Sequence, residues 1–389
     1  MPQLTSIDDL LEQMVPLNAS DLHVTTDSPP VYRVRGEVLR AAGFEPFTTD
    51  DTRSLLYRIM SSEQQKIFEL NRQLDFAYAL PGVARFRVNV YYQRESVGAA
   101  FRLIPQEIKT LEELNLPGVL HRFAEVARGI VLVTGPTGSG KSTTLAAILD
   151  EINRTRSEHI LTIEDPIEFV HRHKRCIVNQ REIGPDAQSF GMALKAALRQ
   201  DPDVILVGEM RDMETISTAL TAAETGHLVF ATLHTQSASS TVDRIIDVFP
   251  AEQQEQVRIM IANSLQGVVT QTLLPTADGN GRVAALEILL PDDAVRNLVR
   301  QAKIEQVYSI MQTNTARGMQ TMEQALADLT MRRVVNPEDA FQHTNRRDIL
   351  AGILERSGLD VRGVVAGLEL NMPTPQQPPS GLRVAGAEA

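Results

Sequence analysis

The chain has 389 residues, 43% apolar and 22% charged, a balance that excludes wholesale disorder and leaves room for two or three domains. No apolar run reaches the ~18 residues of a membrane helix, the start carries Asp8 and Asp9 rather than a basic cluster, and the single cysteine, Cys176, excludes an internal disulfide or a multi-cysteine zinc site, so a cytoplasmic protein is expected. With 38 Lys+Arg against 49 Asp+Glu, a net charge of −11, the basic footprint of a nucleic-acid binder is missing, and no nucleic-acid partner is expected.

Residues 1–110 read as a small α/β domain with an antiparallel sheet. Ile7 to Val15 places Ile7, Leu10, Leu11, Met14 and Val15 on one helical face. Ser20-Asp21-Leu22-His23-Val24 leads into a strand, and Val31 to Leu39 alternates around a turn at Gly36. Thr49-Asp50-Asp51 caps a helix to about Met60. Arg85 to Tyr91 alternates strictly, sending Phe86, Val88 and Val90 inward and Arg85, Arg87 and Asn89 outward. A second strand, Gly98 to Ile104, ends at Pro105. With a hairpin loop at Gln93-Arg94-Glu95-Ser96, Arg87 faces Arg102 across the ladder. Two like charges so placed are unfavourable unless an anion lies between them, which makes an arginine clamp on a phosphate an alternative to a solvated strand face.

Residues 111–128 read as a linker with a short helix, and from Gly129 the texture changes. Apolar strands at Ile130–Thr134, Ile160–Glu164, Val204–Val207 and Leu228–Leu233 alternate with helices at Ser142–Asn153, Ser189–Gln200 and Met213–Glu224. That is the pattern of βαβ units and a parallel sheet covered on both faces, here assigned to 129–290. Residues 291–370 read as helical, and 371–389, with Pro373, Pro375, Pro378 and Pro379, as a disordered tail.

Gly135-Pro136-Thr137-Gly138-Ser139-Gly140-Lys141-Ser142 fits the phosphate-loop pattern at every defined position and lies between an apolar strand and a helix. Its glycines let backbone N–H groups wrap a polyphosphate, and the helix N-terminus beginning near Ser142 and Thr143 adds its dipole. Lys141 is one of only six lysines; it reaches the β/γ-phosphates while the Ser142 hydroxyl ligates Mg²⁺, so ATP and Mg²⁺ are the expected cofactors. Asp203 to Glu209 is an apolar strand ending in an acid, where a doubly wound sheet presents its ligands; Glu209 would polarise a water or hold the Mg²⁺ shell. Ile160 to Glu168 is a second such strand, with Glu164 and Asp165 left at its rim by Pro166. His227 and His234 bracket Leu228–Leu233, and His234, at the C-terminal end, is placed to sense a γ-phosphate or reach a neighbouring subunit. After Pro291-Asp292-Asp293, the helix to Gln301 packs Val295, Leu298 and Val299 inward and leaves Arg296, Asn297 and Arg300 free to meet a partner.

The phosphate loop, Ile163-Glu164-Asp165-Pro166-Ile167-Glu168, Leu206 to Asp212 and the two-histidine segment resemble, in that order, the secretion ATPase superfamily. Ser20 to His23 and Ala294 to Gln301 sharpen the likeness to its type IV pilus retraction members; Gln301 stands where they usually carry an acid. The lone cysteine and short N-terminal region are unlike the extension and type II secretion members, which usually have a tetracysteine zinc element. The likeness spans about residues 4–355. It implies a PAS-like N-terminal domain, a RecA-like ATPase domain and a homohexamer acting on pili through an inner-membrane platform protein. It also implies roles for Arg87 and Arg102 in completing the site, for Glu209 as catalytic glutamate, for Glu164 and Asp165 as an acidic box, and for His227 and His234 as a histidine box.

Overall fold

A computed structural model describes residues 6–34, 36–104 and 107–364. The expectations for Pro105, for the helical stretch beyond 364 and for the proline-rich tail lie outside the described residues. Ser6 opens the fold with a reciprocal cap, each of Ser6 and Asp9 accepting the other's backbone N–H, and starts α1 (Ile7–Met14) with Leu10, Leu11 and Met14 buried. Next come β1 (Ala19–Val24), β2 (Val31–Val34) and β3 (Glu37–Arg40). The cap of α2 (Thr49–Arg58) is Thr48, paired with Asp51, one residue before the stretch expected to cap it. The sequence reading left out α3 (Ser62–Asn71) and β4 (Gln73–Leu80). β5 (Ala84–Gln93) and β6 (Ser96–Ile104) form the expected hairpin, turning through Arg94 and Glu95 at φ 43° and 64°, the left-handed pair a two-residue turn needs.

Beyond α4 (His121–Glu125) lie β7 (Gly129–Thr134), α5 (Lys141–Thr155), β8 (His159–Glu164), β9 (Ile177–Glu182), α6 (Phe190–Ala197), β10 (Val204–Val207), α7 (Met213–Glu224) and β11 (Leu228–Leu233). Then follow α8 (Ala238–Asp247), α9 (Ala251–Ser264), β12 (Leu265–Pro275) and β13 (Arg282–Leu289), and the helices α10 (Asp293–Arg300), α11 (Val307–Thr313), α12 (Met322–Met331), α13 (Pro337–Gln342) and α14 (Arg347–Arg356).

The chain forms two compact units interleaved in sequence. The first comprises Met1–Leu114, Leu120–Ala127 and Ser142–Ala231. It holds the antiparallel sheet β3-β2-β1-β6-β5-β4, packed around Leu22, Phe68, Phe86, Val88 and Phe101. It also holds a parallel set in which β10 lies between β11 and β8, with β9 outside β8. Arg85, expected to face outward, reaches across to buried Glu182 on β9 at 3.0 Å.

The second unit comprises Asn115–Val119, Arg128–Lys141 and Thr232–Ala389. Here β12 runs parallel to β7 but antiparallel to β13, so the strands are mixed rather than all parallel. The compact units do not follow the boundaries expected at 128 and 290. The physical reason at 290 is a shared core: Leu274 and Ala285 of β12 and β13 bury with Leu326, Phe341, Leu350 and Leu354 of the C-terminal helices.

Candidate nucleotide site

The phosphate loop leaves β7 at Gly135, whose φ of +135° and tight surroundings admit no side chain: a Cβ there would lie 2.2 Å from the Gln271 carbonyl oxygen. Gln271, buried on β12, donates from its amide to the Ser139 carbonyl at 2.8 Å. One side chain from the neighbouring strand therefore fixes the loop's far end, while the Thr134–Thr270 hydroxyl pair at 2.8 Å ties the strands at its base. Pro136, Thr137 and Gly138 are exposed at the tip. Gly138 sits at φ +80° with nothing within 4 Å of the Cβ position. Lys141 is buried, its ammonium donating to the Gly135 and Pro136 carbonyls at 2.9 and 3.0 Å. The charge is thereby held inside the curl of the loop, and Ser142 and Thr143 follow it in the first turn of α5. Glycines with positive φ, a buried ammonium and a helix N-terminus suit a polyphosphate.

A polar cavity of about 260 Å³ adjoins Pro136, lined among others by Thr270, Gln271, Glu287, Glu323 and Arg346. Its acids are satisfied: Glu287 accepts from the Ala238 N–H at 2.6 Å, and Glu323 from Tyr308 and Thr344, both at 2.7 Å. The sequence reading missed these residues, and no local motif announces them.

In the first unit the parallel register sets Val207 of β10 beside Ile163 of β8, bringing the two acidic strand ends together. Gly208 makes this possible; its N–H donates to Ile163 O at 2.7 Å, and a Cβ there would meet the same oxygen at 3.0 Å. Glu164 accepts from Thr162 Oγ1 at 2.6 Å and from Gln180 Nε2 at 3.0 Å. Burial pushes its carboxyl above the ordinary range, against the pull of those two hydrogen bonds. Glu209 is gripped by Arg211, with Nε–Oε1 at 2.5 Å and Nη2–Oε2 at 2.6 Å. Asp165 begins the segment after β8 through a cis bond to Pro166.

Arg87 does face Arg102 across the β5–β6 ladder. Carboxylates in the sheet relieve the juxtaposition: Arg102 Nε donates to Asp21 at 2.8 Å, and Arg87 lies 3.6 Å from Asp75. Burial alone would raise the Asp21 carboxyl, but hydrogen bonds from Ser20 and Arg102 hold it below the ordinary range. His234 is exposed just past β11. His227 is at the opposite end of that strand, roughly 20 Å away by strand rise. Its Nδ1 donates to Ala222 O at 2.9 Å, and β11 starts beside Asp203, not beside Glu164 and Glu209. The fold therefore does not bring His227 to the acidic strand ends.

The polar face of α10 is partly engaged by the end of α9. Val295 and Val299 are buried as expected and Leu298 is half-buried, but Arg296 is not free. It donates to the Ala262 and Asn263 carbonyls at 2.5 and 3.4 Å, and Arg300 to Asn263 Oδ1 at 3.2 Å.

Residues 2–349 match the family described as Type II/IV secretion system protein. The chain is 53% identical over 334 residues to the type IV pilus retraction ATPase PilT of Pseudomonas aeruginosa, covering 86% of this chain and 96% of that one. A twitching motility protein of Neisseria gonorrhoeae is 54% identical over 83% of this chain and 86% of its own length. The Pseudomonas aeruginosa type IV pilus ATPase PilU is 42% identical over 87% of this chain and 88% of its own. A crystal structure of the pilus retraction motor PilT with bound ADP superposes at TM-score 0.83 with 50% identity, covering 87% of this chain and 97% of the other.

Proposed function

Because the chain belongs to the Type II/IV secretion system protein family, we propose that it is an ATPase motor that drives retraction of type IV pili. It works as a homohexamer at the cytoplasmic face of the inner membrane, coupled to the pilus machine through a platform protein. The observation that carries this reading is the likeness to the Pseudomonas retraction ATPase along almost its whole length, stronger than the likeness to PilU.

The loop from Gly135 to Thr143 fits ATP by its chemistry. Lys141 exchanges loop carbonyls for phosphate oxygens, and backbone N–H groups around Gly138 and Gly140 surround the anion. Mg²⁺, held by the phosphates and the Ser142 hydroxyl, would supply charge neutralisation. Glu209, once released by Arg211, orients and deprotonates the attacking water. Glu164 and Asp165 hold the polar surroundings of that water, and His234 reads the state of the γ-phosphate. Arg87 and Arg102 exchange their aspartates for the charge that develops on the transferred group.

The test is deletion of the gene in its own bacterium, followed by complementation. Piliated cells that no longer twitch, restored by the parent chain but not by Lys141→Ala, are expected. Loss of the pili themselves would assign the chain to extension, and unimpaired twitching would overturn the motor reading.

A further inference from the structure

Gln180 stands in the middle of β9, directly beside Thr162 of β8 in the parallel register. Every hydrogen-bonding position of its amide that this packing reaches is engaged. Nε2 donates to Glu164 Oε1 at 3.0 Å and to the Phe169 carbonyl at 2.8 Å, while Oε1 accepts the His171 N–H at 2.7 Å. The network fixes which end is which, since a flipped amide would set its oxygen against a carboxylate and a carbonyl. Thr162, fully buried, adds its hydroxyl to the same Oε1 at 2.6 Å. Two donors thus converge on one carboxylate oxygen from two adjacent strands, and the backbone N–H of Glu168 also bonds the carboxylate.

We propose that Gln180 is a positioning residue for the hydrolytic centre: it holds Glu164 in one rotamer and ties the segment from Phe169 to His171 to β9. The inference rests on the reading of Glu164 as part of that centre. Two donors converging on one oxygen orient the carboxylate, and their hydrogen bonds favour its charged form against the upward push of burial. Without Gln180 it keeps one side-chain donor and gains freedom to rotate, and misplacement by an ångström costs up to about a hundredfold in rate.

The experiment measures steady-state ATP hydrolysis of the full chain against pH, with thermal melts alongside, for Glu164→Ala, Gln180→Leu and Gln180→Glu. Gln180→Leu should lower kcat by about ten- to a hundredfold with KM within about threefold, and shift the acid limb of the kcat profile to higher pH. In Gln180→Glu the new carboxyl keeps the shape and the acceptor for His171 but faces Glu164 with a like charge. A shared proton restores the hydrogen bond, so its kcat should rise as pH falls, opposite to the parent's acid limb. Introduced into Glu164→Ala, Gln180→Leu should change residual turnover by no more than about twofold. If Glu164→Ala leaves kcat intact, the reading of Glu164 fails. If Glu164→Ala loses turnover while both Gln180 variants keep the parent's kcat and pH profile, the positioning role is overturned. Should Gln180→Leu fail to fold, Gln180→Glu, which preserves volume, still decides.

Discussion

Two glycines of the phosphate loop, three residues apart, should respond very differently to the same added methyl group. At Gly138 the Cβ would enter open space, and the only penalty is the φ of +80°, about 1–2 kcal/mol for an L-residue. At Gly135 the φ of +135° is joined by clashes, with the added Cβ only 2.2 Å from the Gln271 carbonyl oxygen and 2.8 Å from Ser139 Oγ. Gln271 cannot retreat, because β12 is laddered to β7 on one side and β13 on the other. The loop must move instead, by about 1 Å to regain van der Waals contact. Backbone strain of ~1–3 kcal/mol and overpacking of ~1–3 kcal/mol sum to about 4 kcal/mol. The free loop can relax away from its strained shape, and nucleotide binding must then restore it. The affinity loss is therefore bounded by roughly tenfold for Gly138→Ala and about a thousandfold for Gly135→Ala, at 1.4 kcal/mol per decade. Titration with a fluorescent ATP analogue measures both, and thermal melts check that each variant folds. Equal losses at the two positions would refute the reasoning, since backbone conformation alone would then govern and the Gln271 contact would carry nothing.

Arg102→Ala or Arg87→Ala should lower kcat by up to ~10³-fold with little change in KM, the scale of a charge-stabilising arginine in phosphoryl transfer; parental turnover in the double variant would return both to a solvated strand face. His121 has Glu151 at 2.8 Å from Nδ1 and Glu112 at 3.0 Å from Nε2, an arrangement that satisfies both carboxylates only when both ring nitrogens carry protons. The hydrogen bond His121 donates to Glu151, ahead of the charge of Glu112, raises its folded pKa above the ordinary 6.5. Its contribution is thus fully present below about 6.5 and lost as pH rises through the raised folded value. The Tm gap between the parent and His121→Gln should therefore be widest near pH 6 and close toward pH 9, and a gap independent of pH would remove the bridge.

What the sequence made legible was whatever is local in the chain. The bounds of β10, α7 and β11 follow directly from apolar runs and helical spacing, and the Arg87–Arg102 register follows from one turn. β9 escaped because its pattern is inverted by exposure: Ile177 lies largely in solvent, while Gln180 and Glu182 turn toward partners. β12 escaped in a related way, since buried Gln271 interrupts an apolar strand in order to hold a loop 132 residues earlier. Amides of this kind carry no motif. Their meaning comes from strand register between distant segments, which a single sequence does not display. The two histidines, by contrast, are legible locally, for the apolar run between them folds as the six-residue strand β11 and sets them at its opposite ends, as their bracketing positions imply.

The helix α10 separates these two kinds of information most clearly. Its inward stripe and acidic start are properties of the helix alone: Val295 and Val299 are buried as expected, Leu298 is half-buried, and Asp292 caps the helix. The partner of its polar face is not such a property. The C-terminal end of α9 leaves carbonyls without intrahelical donors and carries the negative end of a helix dipole. Arg296 meets that need by bonding the Ala262 and Asn263 carbonyls, and Arg300 extends the clasp to the Asn263 side chain. Desolvation accordingly lowers the Arg296 pKa from its ordinary value, as expected of a guanidinium lodged against backbone rather than displayed to solvent. A surface that seemed to offer three polar side chains therefore offers chiefly Asn297 and the exposed part of Arg300 beside Ala294. The Arg296 clasp thus ties α10 to the C-terminal end of α9.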